Sequence, residues 1–209
     1  MAKPLYLTAG TLYTLLAAAK RQRVTGRKNV PQGGFVLAAN HLSNIDPFTV
    51  GWCLWPRRQV WYMAKAELFN PWLARAMRAI ATFPVRRGEP DSEALRTALS
   101  LLQAGEIVGM FPEGTRRKKG LRKKFAPEPH TGTARIALMA GVPLVPVGVT
   151  GTDHLFSPRR ITVAFGSPIP LDDLAGMPRK RAAEVATERL MSAIEQLVSG
   201  GDQVAVVHR

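Results

Sequence analysis

Short apolar runs recur along this chain, and a helical pattern or a helix cap follows most of them. GFVLAAN (Gly34 to Asn40) comes first, then Val60 to Ala64, Ile80 to Val85 and EIVGMF (Glu106 to Phe111); VPLVPVGV (Val142 to Val149) and Ile161 to Phe165 complete the series. Runs this short, bounded by Gly and Pro, read as buried strands. Pro84 suits an edge or a strand end, because proline cannot donate to a ladder. Between the runs, Asp46-Pro47 reads as an N-cap with Pro at the first helical position. Asp91 or Ser92 caps a second helix whose apolar face is Leu95, Ala98, Leu99 and Leu102, stopped by Gly105. Thr133 to Ala140 is a small-residue helix ended by Gly141. From about Pro178 the stripe Ala183, Ala186, Leu190, Ile194 and Leu197 predicts a long helix stopping at Gly200. Strand and helix alternate, so the expected fold is one α/β domain: a mixed, largely parallel sheet flanked by helices. Active groups in such folds sit on loops beyond strand ends.

Charge narrows the partners. Across 209 residues, 29 Lys and Arg face 15 Asp and Glu, for a net charge of +14. That excess attracts anionic lipid, phosphorylated ligands or nucleic acid, and does not choose among them. The run RRKKGLRKK (Arg116 to Lys124) is basic enough for a nucleic-acid patch. It lacks interleaved aromatics, however, and no helix-turn-helix, RNP or zinc-finger pattern occurs. Cys53 stands alone, which excludes an intramolecular disulfide framework and a cysteine-rich zinc site. No apolar run reaches the roughly 18 residues of a spanning helix. Leu5 to Ala19 comes nearest; with Lys20, Arg21 and Arg23 behind it, it reads as a helix lying in a membrane interface. The expected organisation is an interface helix over residues 1–22, a catalytic domain over 23–200 and a loose tail over 201–209.

Two stretches carry the chemistry. NHLSNIDP (Asn40 to Pro47) follows the first strand and FPEGTRR (Phe111 to Arg117) follows EIVGMF, so both fall beyond strand ends. His41 and Asp46 lie five apart across a tight turn. A neutral imidazole can take a proton from an alcohol, and a carboxylate on its other nitrogen fixes the tautomer and stabilises the imidazolium. Asp46 as a simple helix cap is the competing reading. No GxSxG elbow is present, which disfavours a serine hydrolase, and the pair is expected to activate a substrate hydroxyl directly. Glu113-Gly114 suggests a turn where backbone amides approach a ligand. Arg116 and the Arg86-Arg87 pair offer planar forks suited to phosphate.

Together NHLSNIDP and FPEGTRR resemble the glycerolipid acyltransferases of the 1-acylglycerol-3-phosphate acyltransferase family (PlsC-like), over residues 23 to 170. The resemblance implies that His41 and Asp46 are the catalytic pair, with Asn40 matching the residue before the histidine. Ala81 to Arg87 is similar to a second family block, whose closing arginine, here Arg87 or its neighbour Arg86, holds the acceptor phosphate. Phe111 to Arg116 implies acceptor binding by Glu113, Gly114, Thr115 and Arg116, and Lys65 resembles a recurrent lysine near the phosphate. Val142 to Val147 looks like a fourth block, a structural strand near the acyl pocket. Ala81 departs from the family, which usually has Gly there, and His130-Thr131-Gly132 stands where a Lys before Gly is common.

The implied reaction moves a fatty acyl group from acyl-CoA or acyl-ACP to the sn-2 hydroxyl of lysophosphatidic acid, giving phosphatidic acid. A thioester is already activated, so neither a metal nor a further cofactor is implied. The implied partners are a lysophospholipid acceptor, the acyl-CoA or acyl carrier protein donor and an anionic membrane surface, with no nucleic acid; the implied location is peripheral, on the cytoplasmic face of the cell membrane. An acyltransferase acting on another lysolipid or on glycerol-3-phosphate, and a non-catalytic anionic-membrane or nucleic-acid binding module, are the alternatives.

Overall fold

In the computed structural model, residues 4–86, 88, 90–114, 129–154 and 160–206 are described. Among these residues seven strands form one sheet: β1 (Arg23–Thr25), β2 (Phe35–Ala39), β3 (Val60–Lys65), β4 (Thr82–Val85), β5 (Ile107–Met110), β6 (Leu144–Thr150) and β7 (Thr162–Phe165). Their order across the sheet is β1-β7-β6-β2-β5-β3-β4. Every neighbouring pair is parallel except β6 with β7. The sheet is therefore mixed and largely parallel, as the alternating sequence predicts.

Helices cover both faces. The helices are α1 (Pro4–Ala19), α2 (Asp46–Trp52), α3 (Ala74–Ala79), α4 (Ser92–Gln103), α5 (Gly132–Ala140) and α6 (Arg179–Val206). β2 is central and all five of its residues are buried. Strand side chains alternate between faces, and two cores result. Val36 and Ala38 pack with Ala98 and Leu102 of α4, Ala134 of α5 and Leu190 of α6. Phe35, Leu37 and Ala39 pack the opposite way, with Val50 and Cys53 of α2. Each fully buried Leu, Ile or Phe contributes roughly 1.5–3 kcal/mol of transfer free energy.

Several local expectations meet their residues. β4, with Pro84, is an edge strand. Asp91 caps α4, its side chain accepting from the Glu93 and Ala94 amides. Gly141 ends α5 at φ 65°. Two expectations need correction. The C-terminal helix does not stop at Gly200 but runs on to Val206, so most of the expected loose tail is helical. A helical glycine costs only about 1 kcal/mol, and Gly200 and Gly201 alone do not end a helix that is already packed on the sheet. Asp46 is the first residue of α2, and Ile45 is the capping position. Its carboxylate turns back toward the preceding loop and serves no helix amide further on. β1 and α3 carry no periodic signal and were not expected.

Candidate active site

β2 to β6 all run in one direction, so their C-terminal ends meet along one edge of the sheet. β2 and β5 are neighbours, with Ala38 paired to Met110. The residues that leave these strands, Asn40-His41 and Phe111 to Gly114, are thereby brought together. Lys65 ends β3 and Arg86 follows β4 at the same edge. Arg87, Thr115 and Arg116 lie outside the described residues.

Three devices hold His41. Asn40 is buried at the end of β2 and its side chain acts as an extra strand peptide. Nδ2 donates to the Val149 carbonyl at 2.8 Å, and Oδ1 accepts from the Val149 amide at 2.7 Å. The turn from His41 to Asp46 is then gathered around one atom. Asp46 Oδ2 accepts from His41 Nδ1 at 2.8 Å, from the Leu42 amide at 2.7 Å and from the Ser43 amide at 2.7 Å. Asp46 is completely buried, and burying a carboxylate costs several kcal/mol unless donors surround it. Here three N–H groups converge on a single oxygen.

The third device is a stack of rings. Phe111 lies against the imidazole, with centroids 4.2 Å apart and planes 22° apart, and Tyr62 backs Phe111 at 6.0 Å and 13°. Tyr62 sits opposite Gly109 in the β3–β5 register. A β-carbon at Gly109 would run into the Tyr62 ring, so the glycine makes room for the stack.

Because Nδ1 gives its hydrogen to Asp46, Nε2 is the ring nitrogen with a free lone pair. His41 also lines an apolar cavity of about 320 Å³. Phe48, Gly51, Trp52 and Trp55 of α2 and the turn after it form one wall; Tyr62, Met63 and Ala64 of β3 form another. Tyr13 from α1 and Met77 and Ile80 around α3 complete the enclosure. An apolar slot with one polar base at its edge fits a chain-bearing substrate. No residue of Val142 to Val147 lines this slot. Most of that segment lies in β6, which meets the site further on, at Val149, the partner of Asn40.

α1 is tied to the site from below. Tyr13 Oη donates to Thr49 Oγ1 at 2.7 Å, and Thr49 Oγ1 donates to the Ile45 carbonyl, the residue before Asp46. Burial pushes the Tyr13 phenol up to about 12. Burial also pushes the Cys53 thiol up to about 12, and its Sγ donates to the Thr49 carbonyl at 3.2 Å. A thiol so held stays protonated at neutral pH, which leaves no thiolate for an acyl-cysteine intermediate.

The remaining site residues differ in exposure. Lys65 is exposed and free to reach solvent-side ligands. Glu113 is buried, and Gly114 turns the chain at φ 65°, its amide donating to the Phe111 carbonyl at 2.9 Å. The His130 ring stands against Gly114, where a β-carbon would come within 2.7 Å of it. Arg86 donates its amide to Asp91 Oδ2 at 2.8 Å, and its Nε lies 3.5 Å from the same oxygen. Those contacts, with the Glu93 and Ala94 amides, hold the Asp91 carboxyl below the usual range. Arg86 is thus engaged in the cap of α4. Ala81 is buried at φ 61°, a left-handed conformation that favours glycine and explains the Gly common at this place in the family resembled. Phe111, Tyr62 and Tyr13 escaped the sequence reading. Only Phe111 had a signal, as the first residue of the FPEGTR block.

A model of the family described as Acyltransferase matches residues 21–150, which contain every one of these site residues apart from Tyr13. The chain belongs to the acyltransferase family. A relative from Bacillus subtilis, named 1-acyl-sn-glycerol-3-phosphate acyltransferase, is 34% identical over 201 residues, covering 94% of this chain and 98% of its own. One of the same name from Streptococcus pneumoniae is 29% identical, over 78% of this chain and 60% of its own. The crystal structure of the 1-acyl-sn-glycerophosphate acyltransferase PlsC from Thermotoga maritima shares the fold. The TM-score is 0.59 at 23% identity, over 90% of this chain and 80% of that one. The protein is an acyltransferase.

Proposed function

We propose that this acyltransferase moves a fatty acyl group from a thioester, acyl-CoA or acyl-ACP, to the sn-2 hydroxyl of lysophosphatidic acid. The observation that carries the reading is the His41–Asp46 pair at the edge of the apolar slot. Nε2 of His41 takes the hydroxyl proton as the acceptor oxygen attacks the thioester carbonyl, and the Asp46 carboxylate stabilises the imidazolium. When the tetrahedral intermediate collapses, the C–S bond breaks and the leaving thiolate takes the proton back from Nε2. The acyl chain occupies the slot between α1, α2, α3 and β3. Arg87, Arg116 and Lys65 hold the acceptor phosphate and bring the hydroxyl to the base, which supplies proximity. Arg86, engaged by Asp91, is the weaker candidate for that role. The name of the Bacillus subtilis relative, which this chain matches nearly end to end, supports the acceptor. The enzyme works at the cytoplasmic membrane surface, where both amphiphilic substrates reside.

The test uses purified protein, oleoyl-CoA and lysophosphatidic acid in mixed micelles. Free thiol and phosphatidic acid are followed together, with glycerol-3-phosphate and other lysolipids as competing acceptors. Thiol release matched by phosphatidic acid is expected, and His41→Ala should lower it by about 10² to 10⁴-fold. Transfer that survives in His41→Ala would remove the mechanism, and a preference for another acceptor would remove the assignment to lysophosphatidic acid.

A further inference from the structure

Eight large apolar side chains stand exposed among the described residues. Six of them, Leu12, Leu15, Phe48, Leu68, Trp72 and Leu73, belong to the helical layer that holds the apolar slot. The other two, Met139 and Met177, come from α5 and the turn before α6, on the opposite layer. Trp72 is 92% exposed, an unusual setting for the largest apolar side chain. Phe48 and Leu68 are at once exposed and part of the slot wall, so the patch is continuous with the mouth of the slot.

The turn that presents Trp72 is self-contained. Asn70 Oδ1 accepts from the Trp72 amide at 3.1 Å and the Leu73 amide at 3.0 Å, and the Asn70 carbonyl accepts from the Ala74 amide at 2.9 Å. Pro71 has no amide to satisfy. Backbone donors met internally are what a non-helical segment needs if it is to leave water. Charge names the partner. Residues 4–86, which supply this whole layer, carry eleven Lys and Arg against two acids, Asp46 and Glu67, and Asp46 is fully buried. Exposed Arg75 and Arg78 follow the turn directly, on α3. An apolar patch flanked by Arg75 and Arg78, in a segment so poor in acids, matches an anionic bilayer, the cations at headgroup level and the apolar tips below it. α1 has 16 residues, about 24 Å of helix, and no described helix is long and apolar enough to cross a membrane.

We propose that the corner Asn70 to Leu73 is a second membrane anchor. It inserts Trp72 and Leu73 into the headgroup–acyl boundary beside α1, so that the mouth at Phe48 and Leu68 opens directly onto lipid. The proposal rests on the reading of the slot as an acyl site, but its test does not. The full chain and the double variant Trp72→Ala/Leu73→Ala are co-sedimented with vesicles of phosphatidylcholine containing phosphatidylglycerol. Partitioning should weaken about tenfold or more in the variant, since it scales with buried apolar area. Lipids brominated in the upper acyl chain should quench the wild type more than Trp72→Phe. Neither side chain lines the slot, so thioester transfer in detergent micelles should match the wild type, which separates lost docking from lost folding. Equal partitioning of wild type and double variant would overturn the anchor. So would lipid-free dimerisation that the variant abolishes, because a second copy would then be what covers the corner. An inactive wild type in micelles would sink the acyl-transfer reading while the vesicle result still judged the anchor.

Discussion

Replacing Asp46 by Asn isolates what the buried carboxylate does for His41. The substitution keeps the shape and one accepting oxygen, so the Leu42 and Ser43 amides can retain a partner while the negative charge disappears. In the proposed transition state the imidazole carries a proton on each nitrogen, and its charge is centred about 4 Å from the carboxylate. At the effective dielectric of about 20 that suits protein sites, that attraction is about 4 kcal/mol. A neutral amide oxygen accepting from Nδ1 recovers about 1 kcal/mol. The difference of about 3 kcal/mol corresponds to roughly 10²-fold in kcat. KM should change little, because the charge develops only as the proton moves. The assay is initial-rate thioester transfer over a range of acceptor concentrations, with thermal unfolding of both proteins as the control for a collapsed turn. A fall of less than about fivefold, in a variant whose unfolding temperature matches the wild type, would refute the reasoning. It would mean that His41 does not become charged in the rate-determining step.

Two further substitutions probe the frame and the slot. Asn40→Ala strands the amide and carbonyl of Val149, two buried groups now bonded at 2.8 and 2.7 Å. The expected loss is about 3 kcal/mol, a fall in unfolding temperature of roughly 6–12 °C for a chain of this size; a shift under about 2 °C in calorimetry would show that the clamp is dispensable. Gly51 lines the slot, and the atoms nearest a β-carbon there belong to Tyr62 at 3.8 Å, so Gly51→Ala fits the fold while taking space from the cavity. Displacing about one methylene should weaken long-chain donors by about 0.8 kcal/mol relative to short ones, roughly fourfold in relative kcat/KM. An unchanged chain-length profile across donors would place the acyl chain elsewhere.

What the residues announced in advance, and what they did not, divides along one physical line. Strands such as Gly34 to Asn40 and Glu106 to Phe111 declare themselves, because a strand buried on both faces is simply a short apolar run between turn residues. The contact of His41 with Asp46 was legible because both partners fall within six consecutive residues. The stack that orients His41 was not. Phe111 could be guessed from its block, but Tyr62 reaches it only through the β3–β5 register and the vacancy at Gly109, and register is not written in any local window. Tyr13 is hidden more deeply: it lies 36 positions from Thr49, its partner, and reads in sequence as one more member of an apolar helix. The same ambiguity surrounds Trp72. In sequence an aromatic beside Pro71 looks like core or turn, and only the fold distinguishes a ring that packs inward from one that stands 92% exposed. At Asp46 the expected partner of His41 is found, but the local account of its carboxylate is reversed. An aspartate before proline at a helix start predicts a cap on the following amides, yet its oxygen serves the amides behind it, and that reversal is what brings it within 2.8 Å of the histidine. A carboxylate spent on the helix would have left Nδ1 without its partner, so the failure of the capping rule and the construction of the His41–Asp46 pair are one event.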